Sequence, residues 1–152
     1  MGIAFSGREL MSTYIVGVDG SDTAYKAAER AAELAEKTGD KLVVLSAHSK
    51  DNTEVVTIGS DTWILDDSDQ AGRLAERISS RLREDHPNAI VTSGAIFGKP
   101  VDALINAAKD HDAQVIFVGN VGTRGLGRVL GSVATGVIHN AECDVYVVRT
   151  AD

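Results

Sequence analysis

Val115-Ile116-Phe117-Val118-Gly119-Asn120-Val121-Gly122, followed after Thr123–Leu130 by Gly131-Ser132, is the stretch on which the reading of this chain turns. Four apolar residues, two of them β-branched valines, spell a buried strand. The glycines that follow spell a tight loop, and the residues after Gly131 have the pattern of a helix. Strand, glycine-rich loop and helix start, in that order, make a cradle for anions. Glycine lets the backbone approach a ligand closely, and the free N–H groups at a helix start carry partial positive charge. A glycine-rich surface loop without a ligand reads the same way locally, because short glycine motifs also match by accident. Arg124 and Arg128 lie inside the loop and would add local positive charge.

Working outward, the same strand-then-helix unit recurs. Thr13–Val18 is a short apolar run that ends in the turn-and-cap cluster Asp19-Gly20-Ser21-Asp22. Ala24, Ala27, Ala28, Ala31, Leu34 and Ala35 follow at spacings of three and four, which places them on one helical face, and Gly39 is a natural terminator. Lys41–Ala47 holds the buried strand Leu42-Val43-Val44-Leu45. Residues 49–67 keep no sustained period and read as a long connection or flap, with Trp63-Ile64-Leu65 as an apolar island. Trp63 is expected to cover a core edge rather than stack on a base. Ala71, Leu74, Ala75, Ile78 and Leu82 mark a second helix, capped by Ser68. Ala89–Gly94 is the next strand, and Pro100 suits the first position of a third helix with Val101, Leu104, Ile105 and Ala108 on its apolar face. A fourth helix starts with Ser132 as its N-cap, and Asp144–Val148 is the last strand.

The sum is βαβαβαβαβ. Apolar strands alternating with amphipathic helices predict one α/β domain, an open, doubly wound parallel sheet of five strands with helices on both faces. In such sheets a ligand sits beyond the carboxyl ends of the strands, where the strand order reverses. The loops after the first and fourth strands, at Asp19 and at Gly119–Gly131, share one crevice if those strands are neighbours.

Composition narrows the function. The chain has 152 residues, 43% of them apolar and 24% charged, with a formal net charge of -7 and a pI near 5.0. That balance argues against a sequence-independent grip on nucleic acid or on an anionic membrane surface. Cys143 is the single cysteine, so no internal disulfide forms, and it is expected to be a small buried hydrophobe. The four histidines show no metal-ligand spacing. No apolar run has the ~18 residues of a membrane span and no secretory signal is visible, so a cytoplasmic location is expected. Residues 1–10 read as a leader or tag, and 11–152 as the folded domain. No nucleophile–base pair or metal cage stands out, so no catalytic residue is assigned.

Four segments together resemble the universal stress protein family: Val18-Asp19-Gly20-Ser21, Phe97-Gly98-Lys99-Pro100, the Gly119–Val133 signature, and Cys143-Asp144-Val145-Tyr146-Val147-Val148. The resemblance covers nearly all of Met11–Asp152. It implies a Rossmann-like sheet of the adenine nucleotide alpha hydrolase-like kind and a regulatory protein that binds ATP or AMP, with Mg where the triphosphate is bound. It further implies that Gly119, Gly122, Gly131 and Ser132 hold phosphates, with Val133 adding a backbone N–H; Arg124 joins this set only through the positive charge it brings to the loop. Asp19 takes the ribose or metal role, and the backbone of Ala47 reads the adenine edge. Family members resemble one another in dimerising through the last strand, here Val145, Tyr146, Val147 and Val148. One feature departs from the pattern. Eight residues separate Gly122 from Gly131, one fewer than in the ATP-binding members. Gly125 and Gly127 could absorb the difference, or the shorter loop could close the cradle. The alternatives are therefore a nucleotide-free dimeric interaction protein of the same fold and, further off, a slow ATPase.

Overall fold

The computed structural model describes residues 11–48, 53–58, 61–121 and 130–150. The segment read as a leader, residues 1–10, lies outside them. Eleven elements follow in order: β1 (Thr13–Gly17), α1 (Asp22–Thr38), β2 (Lys41–His48), β3 (Thr53–Ile58), β4 (Asp61–Asp66), α2 (Asp67–Asp85), β5 (Ile90–Phe97), α3 (Pro100–Asp110), β6 (Val115–Gly119), α4 (Ser132–Asn140) and β7 (Asp144–Val148). Five strands form one sheet in the order β5-β2-β1-β6-β7, and every neighbouring pair is parallel.

Alternation along the strands sends side chains to two separate cores. Tyr14, Val16, Leu42, Val44 and Phe117 meet the alanines of α1 and Ala75, Ile78 and Leu82 of α2. Ile15, Val43, Leu45, Ile116 and Val118 meet Leu104 and Ile105 of α3 and Ala134 and Val137 of α4. The three central strands, β1, β2 and β6, are thus apolar on both faces, which is why they read as continuous runs. Ala27, Ala28, Ala31, Ala32 and Ala35 are all buried, so α1 lies close against the sheet. Gly39 ends that helix in the left-handed conformation, φ 78°, and its N–H donates to the Ala35 carbonyl. On the opposite face α3 and α4 touch so closely that a Cβ on Gly136 would lie 2.8 Å from Val101 Cγ2.

Four local expectations are corrected. Residues 49–67 are not a featureless connection. They contain β3 and β4, an antiparallel pair outside the main sheet that places Trp63 opposite Val56. The run Val55-Val56 and the block Trp63-Ile64-Leu65 break strict alternation and hide the period. The informative signal is two β-rich segments separated by Gly59-Ser60, a hairpin spacing. Helix α2 begins at Asp67, which puts Ser68 inside its first turn rather than at its cap. The N-cap of α4 is Gly131 and Ser132 is the first helical residue. Finally, β5 runs past Gly94 to Phe97, because its ladder with β2 continues to His48↔Phe97.

Candidate functional site

The chain steps outward from β1 to β2 and β5 on one side, then returns to lay β6 and β7 on the other. The reversal falls between β1 and β6, which pair directly. Their carboxyl-end loops therefore splay apart and leave a cleft of about 220 Å³. Asp19, Ala47, Gly119, Gly131, Ser132 and Val133 all line it. Residues more than a hundred positions apart are thus brought to one place by a single topological fact. Gly122 and Arg124 lie outside the described residues.

One end of the cleft offers free amides. Gly131 caps α4 without a side-chain hydrogen bond. Its own N–H donates to the Asn120 carbonyl at 3.1 Å, and its carbonyl accepts from Thr135. The amides of Ser132, Val133 and Ala134 have no acceptor within the helix, and all three residues line the cleft. Ser132 adds an exposed hydroxyl. Uncapped amides with the positive end of a helix behind them suit an anion.

The start of α1, on the other flank, is capped from within the chain. Ser21 Oγ accepts from the Ala24 N–H at 3.2 Å, and the Asp19 carboxylate accepts from the Ser21 N–H at 2.9 Å. Asp19 therefore braces the turn and leaves the capping to Ser21. It remains exposed, and it is the one carboxylate among the described residues lining the cleft. Among the described residues no three His, Cys, Asp or Glu side chains stand together as a metal cage. A divalent ion held here would have Asp19 and groups of its own ligand as partners.

The far end is apolar and carries a backbone reading edge. Leu45 accepts from the Val18 N–H on the β1 side, whereas His48 accepts from the Gly98 N–H on the β5 side. Backbone groups alternate sides along a parallel strand, so the N–H and C=O of Ala47 face the β1 side. The β1–β2 ladder ends at Gly17↔Leu45, and Ala47 lies beyond it, with a donor and an acceptor aimed into the cleft. Ile96, Pro100 and Leu104 form the wall around them. Leu104 reaches β1 because Gly17 has no side chain: a Cβ there would sit 3.1 Å from Leu104 Cδ2. The sequence reading missed this wall, since nothing local says that β2 and β5 outrun β1.

Asn120 was also missed. It lies behind the cleft and joins Gly131, Val148 and Thr150 by hydrogen bonds. Lys99 is the exposed N-cap of α3. Cys143 precedes β7, at the end of the sheet away from the cleft. It is half-buried, and that burial pushes its thiol pKa up, so it is no nucleophile of this site.

The fold and the cleft define a doubly wound α/β protein with a ligand crevice at its switch point. The profile of the universal stress protein family matches residues 11–149, and the chain belongs to that family. It is 36% identical to the universal stress protein Rv1636 of Mycobacterium tuberculosis over 91% of this chain and 96% of that protein. Among solved structures it is similar to a universal stress protein in complex with cAMP, with 28% identity, a TM-score of 0.70 and coverage of 93% and 98% of the two chains. It is also similar to the Archaeoglobus fulgidus universal stress protein in complex with dAMP, with 26% identity, a TM-score of 0.64 and coverage of 91% and 98%.

Proposed function

We propose that this chain is a regulatory stress protein of the cytoplasm that binds an adenine nucleotide, ATP or AMP, in the β1/β6 cleft and acts as a homodimer. The observation that carries this reading is the pairing, within one cleft, of the uncapped α4 amides with the donor and acceptor of Ala47. Adenine has an acceptor at N1 beside a donor at N6, which matches a backbone N–H beside a C=O. Guanine has the opposite order there. The base lies against Leu104, Ile96 and Pro100. The ribose and any Mg lie near Asp19, and the phosphates lie on Gly119, Gly131, Ser132 and Val133, with Gly122 and Arg124 from the connecting loop. The relatives bound to cAMP and dAMP support an adenine mononucleotide at the least. Among the described residues lining the cleft no nucleophile stands paired with a base, and the reading is one of binding.

The homodimer uses β7. This strand ends the sheet, and Tyr146 and Val147 are exposed on it. An exposed apolar edge strand is a template for a second copy.

Thermal unfolding with ATP and Mg²⁺, AMP, cAMP and GTP tests the nucleotide reading. Ligand at 100 times its Kd stabilises by about 2.7 kcal/mol, which is a rise of roughly 5–10 °C in Tm for a chain of this size. Adenine nucleotides are expected to raise Tm and GTP is not. A Gly122→Val variant is expected to lose the response while remaining folded. No response of the wild-type chain to any adenine nucleotide refutes the reading in favour of a nucleotide-free interaction protein.

A further inference from the structure

Asn120 does not line the cleft, yet it is bonded both to Gly131, which does, and to the end of the last strand. Its N–H donates to the Val148 carbonyl at 2.8 Å, and its carbonyl accepts from the Gly131 N–H at 3.1 Å. Its side-chain Oδ1 accepts twice from Thr150, from the backbone N–H at 2.8 Å and from Oγ1 at 3.1 Å. One residue thus clasps the two ends of the glycine-rich loop and the end of the last strand.

Two consequences follow from that geometry. The bond to Asn120 takes up the amide of Gly131, so the free amides of α4 begin at Ser132 and face the cleft. At the same time the side chain buries Thr150, which is 5% exposed and whose carbonyl accepts from Lys26 Nζ at 3.2 Å. Thr150 lies two positions beyond β7. A segment at the end of an edge strand opens more readily than the core, so it has a docked and a frayed state. A ligand on the first turn of α4 favours the arrangement in which Asn120 and Gly131 are clasped. The same Asn120 then presents Oδ1 to Thr150.

We infer that Asn120 is a positioning residue that couples occupancy of the cleft to docking of Thr150 at the end of β7. Nucleotide tightens the Thr150 anchor, and loosening the anchor weakens nucleotide by the same factor, since coupling between two equilibria is reciprocal. This rests on the nucleotide reading of the cleft and adds a route from it to the strand offered for dimerisation.

The test combines AMP affinity by calorimetry with hydrogen exchange at the Thr150 amide. In the wild-type chain AMP is expected to slow that exchange. Asn120→Ala is expected to abolish the slowing and to raise the Kd for AMP about tenfold. Thr150→Val, which keeps the backbone donor and loses the hydroxyl, is expected to raise it about threefold, and Thr150→Ser restores wild-type affinity. Ile78→Val, in the core on the α2 side, lowers stability without touching the clasp and is expected to keep wild-type affinity. A merely structural loss would weaken AMP binding in all destabilised variants alike, Ile78→Val included, and would overturn the inference. So would wild-type affinity in folded Asn120→Ala, or AMP binding that leaves Thr150 exchange unchanged. If Asn120→Ala does not fold, wild-type affinity in Thr150→Val overturns it. A wild-type chain that binds none of AMP, cAMP and ATP refutes the nucleotide reading itself and this inference with it, whereas binding that ignores Asn120 refutes the coupling alone.

Discussion

Replacing Gly119 by alanine tests whether this position is glycine for packing. Its φ is not in the left-handed region, so alanine meets no backbone penalty. By restricting the unfolded chain, alanine would gain about 0.4–1 kcal/mol if nothing else changed. The folded state opposes this. The new Cβ would lie 3.3 Å from the Thr23 carbonyl oxygen, 3.4 Å from Thr150 Cγ2 and 3.5 Å from Thr150 Oγ1. Thr23 is in the first turn of α1, which the Ser21 cap and a close-packed alanine face hold in place, so its carbonyl yields only if the helix moves. Overpacking of this kind costs roughly 1–3 kcal/mol. The second effect wins, for a net loss of about 1 kcal/mol and a fall in Tm of about 2–4 °C. Urea unfolding of Gly119→Ala should show a lower midpoint at unchanged m. Adding Thr150→Ser, which removes Cγ2 but leaves the Thr23 carbonyl, should recover only part of the loss. A Gly119→Ala variant as stable as wild type would refute the reasoning, because it would mean that the start of α1 is free to shift.

Other consequences can be measured directly. The Glu76 carboxylate is held at about 2, first by its hydrogen bond from Arg83 and then by that from Ser93. A folded-state pKa below the unfolded one contributes stability above the unfolded value and loses it as pH falls through the folded one. The stability gap between wild type and Glu76→Gln in urea should therefore narrow from about pH 4.5 and close near pH 2. With both side chains more than a third exposed, that gap should stay under about 1 kcal/mol. Asp112 sits in the left-handed region with φ 50°, so Asp112→Val should lose about 1–2 kcal/mol while Asp112→Gly should be no less stable than wild type in the same assay. Val147→Lys, on the exposed edge of β7, should give the mass of a monomer by light scattering where the wild type gives that of a dimer; a monomeric wild type would refute the dimer.

How much of this was legible beforehand follows from the range of each interaction. The alternation of strands and helices, the alanine face of α1, the turn at Gly39 and proline opening α3 are all local patterns. They follow from side-chain size and backbone freedom within a few residues, and the sequence alone determined them. The hairpin of β3 and β4 was written locally as well, but contiguous apolar residues masked its period. Local rules also favoured Ser132 as the cap of α4, because serine is a good N-cap. The structure seats Gly131 there and leaves the amides uncapped.

Motifs along the chain pointed to Asp19, Gly119, Gly131 and Ser132 as a site, but whether they meet depends on strand order, which no local pattern contains. Only the tertiary structure decided that β1 lies beside β6, so that both loops open on one crevice. Only it decided that β2 outruns β1, which frees the backbone of Ala47, and that the Asn120 side chain reaches Thr150, thirty positions away. Pairing between distant strands depends on how the two cores pack on either side of the sheet, and that energy belongs to the assembled chain rather than to any segment of it.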